Sequence, residues 1–162
     1  MRKLPLIVLC AVALSACGGS SSDSSKKSTT TTAGSTSTAQ SGFVSAGNAV
    51  CMASDKRILK LGRLTRNPAG WARTAAAART SIHEMEKVKP PADRAKAFAE
   101  MMRYARVLAL SIQEVHDSLV KKDIDTAAAA QFAAAHAQDR IHAAAKTAGL
   151  TFCQQPLANW PA

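Results

Sequence analysis

His83, His116, His136 and His142 are the residues best suited to proton transfer or metal binding in this chain. His136, Asp139 and His142 are spaced by threes. On a helix each such step turns a residue by about −60°, so the trio spreads over ~120° and climbs ~9 Å. That is too dispersed for one metal ion. Glu-x-x-His, the repeated unit of di-iron carboxylate bundles, does not occur. His83-Glu84 begins a His-Glu-x-x-His zinc signature but lacks the second histidine. Glu84 with Glu86, and Glu114 with Asp117, have the spacing of ion-pairing surface groups rather than of an acid and a base. No Gly-x-Ser-x-Gly elbow is present, and serine and threonine crowd into the segment before Phe43. These residues predict a non-catalytic protein without a cofactor or bound metal, and an enzyme of unknown class is the third reading.

The cysteines give more. Arg2 and Lys3 precede an apolar run from Leu4 to Leu14, followed by Ser15-Ala16-Cys17. A basic start, an apolar middle and small residues before a cut make a secretory signal. The run is about half the ~20 residues that span a hydrocarbon core, so a transmembrane helix is not expected. Leu14-Ser15-Ala16-Cys17 resembles the lipobox of bacterial lipoproteins. The resemblance implies that residues 1–16 are removed and that Cys17 carries the lipid. Two or more acyl chains, palmitate among them, anchor stably where one does not. The expected location is extracytoplasmic, lipid-anchored to the cell membrane.

From Gly18 to Gly42 the chain has nine Ser, six Thr and four Gly, and no large apolar side chain. Such a segment buries too little surface to fold, so residues 17–42 are expected to be an anchor cysteine with a disordered tether. Its 25 residues would span roughly 25 to 30 Å as flexible coil.

Residues 43–162 suit one helical domain. A stripe through Cys51, Ser54, Ile58, Leu61 and Thr65 reads as a first helix beginning after Gly47 and stopped at Asn67-Pro68. Asn67 can cap a second helix, with Pro68 in its first turn and Trp71, Ala75, Ala78, Ile82 and Met85 along one face, ending before Pro90-Pro91. The third carries Phe98, Met101, Ala105, Leu108, Ile112, Val115 and Leu119, the alternating steps of three and four of a bundle seam. Asp123 or Asp125 can cap a fourth, which Gly149 ends. Its alanine-rich face is ambiguous, with Ala134, Ile141, Ala145 and Ala148 the preferred core. Short connections favour antiparallel neighbours, hence an all-α, up-down-up-down four-helix bundle.

Cys51 and Cys153 remain for the exported domain, where an even pair is expected to be bridged. That topology brings the start of the first helix and the end of the fourth together, where the two thiols must meet. With so much alanine the helices are expected to pack closely and leave no roomy cavity.

The domain has 17 basic and 10 acidic residues, net +7. Lys56, Arg57, Lys60, Arg63 and Arg66 stand against Asp55 alone, and Lys56, Lys60 and Arg63 share a face. Such a strip suits an anionic partner, lipid headgroups or a phosphate-bearing envelope polymer. Export argues against nucleic acid. Met52 and His142, expected at one end of the bundle, resemble the axial pair of b-type cytochrome four-helix bundles; that resemblance implies a haem carrier as the alternative. As a whole the chain resembles small alanine-rich lipoproteins of actinobacteria, by its layout, Pro90-Pro91 and the Gly149-Leu150…Cys153 ending. The primary expectation is a membrane-tethered, non-catalytic helical module binding an envelope protein or an anionic envelope component.

Overall fold

The computed structural model describes residues 34–64 and 66–155. Cys17, the signal and Trp160 lie outside the described residues. Four helices follow one another: α1 (Gly34–Lys60), α2 (Pro68–Met85), α3 (Ala95–Val120) and α4 (Ile124–Ala148), with a 3₁₀ turn at Phe152–Gln154. No strand occurs among the described residues.

Local chemistry sets the helix ends. Asn67 Oδ1 accepts from the Ala69 amide at 3.0 Å, and Pro68 follows where no amide is needed. Asp123 Oδ1 accepts from the Thr126 amide at 3.0 Å, while the Thr126 hydroxyl donates to its other oxygen at 2.7 Å. Those bonds favour the charged form and hold the Asp123 carboxyl below its ordinary range. Gly149 closes α4 in the left-handed region, φ 79°, with Leu150 N donating to Ala145 O at 2.9 Å and Gly149 N to Lys146 O at 3.1 Å. That pair of bonds is the Schellman motif. Lys122 ends α3 the same way at φ 62°, without the freedom of glycine.

α1 starts at Gly34, well before the expected Gly47, so Gly34–Gly42 of the expected tether are helical here. Extending a formed helix costs far less than nucleating one. Nucleation is secured downstream, where Phe43 is buried edge-on against Phe98, centroids 5.5 Å apart. Cys51 consequently lies mid-helix rather than near a helix start.

The core has two parts. One gathers Phe43, Met85 at the end of α2 and Val88 just beyond it, the start of α3 (Phe98, Met101, Met102) and the end of α4 with Leu150 and Cys153. The other joins Trp71 of α2, Leu108, Ile112 and Val115 of α3, and Ala130, Ala134 and Ala137 of α4, with Leu64 packed against it. Each helix thus enters at the end where its predecessor finishes, the alternating bundle the stripes predict. On α4, Ala134, Ala145 and Ala148 are buried and Ile141 is half-buried, whereas Phe132 is 77 % exposed. The disulfide Cys51–Cys153 is present, Cα–Cα 5.2 Å, bridging a separation of 102 residues.

α3 and α4 pack along their length, alanine against apolar side chain. α1 is held differently: it meets α2 and the 3₁₀ turn, and its Cα atoms stay more than 8 Å from those of α4.

Candidate functional site

That stand-off opens a space the alanine content does not predict. A cavity of about 130 Å³, half open to solvent, lies between the four helices, walled by Ile58 of α1, Ile82 and Met85 of α2, Met101, Met102, Leu108 and Ile112 of α3, Ile141 of α4, and the disulfide. The expectation of close packing holds for α3 against α4 and fails for α1. The reason is side-chain length: isoleucine and methionine, unlike alanine, keep α1 off the seam.

Six polar side chains also line the cavity: Ser54 and Asp55 from α1, Ser81 from α2, Gln138 and His142 from α4, and Gln155 after the 3₁₀ turn. The serines are mutually satisfied, Ser81 Oγ lying 2.9 Å from Ser54 Oγ and accepting from Arg57 Nη2 at 3.1 Å. Gln138 is only 7 % exposed and has no hydrogen-bond partner among the described residues. Asp55, half-buried, also lacks a hydrogen bond or close ion pair. Burial pushes its carboxyl above the ordinary range, and the charge of His142 pulls it the other way.

No family model, curated protein or solved structure matches the chain. The geometry carries the functional reading alone.

The histidine trio disperses as its spacing predicts: His136 and Asp139 are exposed, and only His142 turns into the cavity. Among the described residues no three His, Cys, Asp or Glu side chains gather as metal ligands. Met52 is 39 % exposed and forms no part of the cavity wall, so the structure does not bring it and His142 to one pocket. The carboxylates once paired by spacing have other partners. Glu84 binds Arg57, Glu86 binds Arg106 at 2.9 Å, Asp117 lies 2.8 Å from His116 Nδ1, and Glu114 accepts from Ser118 at 3.4 Å.

Lys56 and Lys60 are exposed on α1, and Arg63 is exposed in the connection that follows. Arg57 leaves this strip, turning inward to Glu84. Two apolar residues join it: Met52 at 39 % and Leu59 at 50 % exposure. At 100° per residue, Met52, Lys56, Leu59 and Lys60 fall within an arc of ~100°. All four side chains are exposed.

Sequence patterns pass over Asp55 and Gln138. The signal was there in both: Asp55 is the one acid among the bases of α1, and Gln138 completes the stripe Ala134, Gln138, Ile141, Ala145 as a polar residue in an apolar seam.

Proposed function

We propose that this protein is a lipid-anchored, non-catalytic module whose first helix lies against an anionic envelope surface, with membrane lipid headgroups as its partner. The observation that carries the reading is the exposed face of α1, where Met52 and Leu59 alternate with Lys56 and Lys60 and lead into Arg63. Basic side chains interleaved with apolar ones suit the headgroup boundary: each cation near an anionic surface contributes about 1 kcal/mol, and the apolar tips enter the interface. The tether expected from Cys17 leads directly into α1, so this helix is the part of the domain nearest the anchor along the chain. Among the described residues no helix is long and apolar enough to cross a membrane.

Vesicle co-sedimentation of the full-length chain tests this, comparing phosphatidylglycerol with phosphatidylcholine. Charge reversal at Lys56, Lys60 and Arg63 together is expected to lower partition onto the anionic vesicles by on the order of a hundredfold, leaving the neutral ones unaffected. Equal partition of the triple variant and the parent would refute the reading. An envelope protein as partner would instead give binding that charge reversal abolishes only when that protein is present.

A further inference from the structure

Four polar side chains at the cavity, Asp55, Gln138, His142 and Gln155, form no hydrogen bond. Gln138 is more than nine-tenths buried, faces the space between the helices and forms no hydrogen bond. Its amide atoms are not sealed off from solvent and pair with no group of the chain, so they are open to a ligand that enters the cavity. Asp55 faces the same space from the opposite helix without a hydrogen bond, and His142 is the charged group that acts on it there. Lys56 and Lys60 face outward, and Arg57 is spent on Glu84. His142 is the other ionisable group at the cavity.

We infer that this cavity is a binding site for a small organic ammonium ion, its apolar body among Met101, Met102 and Ile112 and its cationic head between Asp55 and Gln138. Size and chemistry agree. The volume, about 130 Å³, is close to that of an engineered apolar cavity of ~150 Å³ that accepts benzene, so the ligand's body is about one ring in size. Asp55 offers two acceptor oxygens and Gln138 a carbonyl, and an ammonium brings N–H donors with no acceptor to satisfy. A neutral hydrocarbon would fill the hole but leave both polar groups unpaired. An anion would meet Asp55 in repulsion. This inference is independent of the surface reading of α1, because Met52, Lys56 and Lys60 take no part in the cavity wall.

Methionine gives the test its reporters. Met85, Met101 and Met102 line the cavity, while Met52 is exposed outside it. In the full-length chain labelled with ¹³C-methyl methionine, benzylamine is expected to shift the first three methyl signals saturably and leave Met52 in place. It should bind at least about tenfold more tightly than toluene or phenylacetate, the discrimination expected of a charge-assisted hydrogen bond. Asp55→Asn should remove most of that preference, and Gln138→Leu should weaken benzylamine severalfold without weakening toluene. Four results would each overturn the proposal: no shift of the three buried methionines; equal affinity for toluene; a preference for phenylacetate; or benzylamine binding only after removal of residues 156–162, which would make the chain's own tail the occupant. The ligand series on the parent protein decides the matter even where a variant fails to fold.

Discussion

Arg57 of α1 holds Glu84 of α2 by two parallel contacts, Nη1 to Oε1 at 2.9 Å and Nη2 to Oε2 at 2.6 Å. The pair is about one-third exposed, so solvent screens it, and its buried Nε has no partner. Arg57→Ala is therefore expected to lower the unfolding free energy by only about 0.5–1 kcal/mol. The pH dependence has a definite sign. Hydrogen bonding from Arg57 holds the Glu84 carboxyl below its ordinary range. A depressed folded pKa gives stability that is fully present above the unfolded value of about 4.3 and fades as pH falls through the lower folded one. Urea titrations between pH 7 and pH 3 should show the parent losing more stability on acidification than Arg57→Ala.

The disulfide matters most to α1, whose backbone comes close only to α2 and the turn that carries Cys153, its contact with α3 being made by the Phe43 side chain. Reduction is expected to cost up to ~4.7 kcal/mol in the chain-entropy model for a loop of about 100 residues. Hydrogen exchange should show the loss first in amides 43–58, ahead of α3 and α4. Uniform loosening of all four helices would contradict that order.

Gly47 lies beneath Leu150. A Cβ at Gly47 would fall 2.7 Å from Leu150 Cδ2 and 3.3 Å from Cδ1, and Leu150 is fully buried, with nowhere to swing. Gly47→Val should lower stability by about 1–3 kcal/mol through overpacking. Gly42 on the same helix has nothing within 4 Å of such a carbon. Gly42→Ala should accordingly gain about 0.5–1 kcal/mol from reduced chain entropy. Opposite signs at two glycines of one helix would separate close approach from helix propensity.

Lys122 occupies the left-handed position that closes α3, φ 62°, and it is exposed. The conformation costs an L-residue roughly 1–2 kcal/mol, and glycine gives part of that back as unfolded-state entropy. Lys122→Gly is expected to raise the melting temperature by roughly 2–4 °C, whereas Lys121→Gly, at an αR position, should lower it.

Helix ends and faces were legible because each rests on neighbours along the chain. Asn67, Asp123 and Gly149 cap by bonds to residues a few positions away. The stripe from Phe98 to Val115 states its own period, and the compartment expected from Leu14-Ser15-Ala16-Cys17 leaves one pairing for the two thiols of the domain. The start of α1 was not legible, since nothing in Gly34–Gly42 favours a helix until Phe43 anchors it against Phe98, 55 positions on.

The order of residues therefore settles where α2 begins and α4 ends, which faces α2 and α3 bury and that Cys51 meets Cys153, because capping, periodicity and cysteine parity are properties of short stretches or of counts. Packing alone decides that α1 stands away from α4, that the resulting cavity holds Gln138 and Asp55 without partners, and that Arg57 turns in while Lys56 and Lys60 stay out. Those outcomes depend on the lengths of side chains from four helices meeting in space, a sum that no single segment contains.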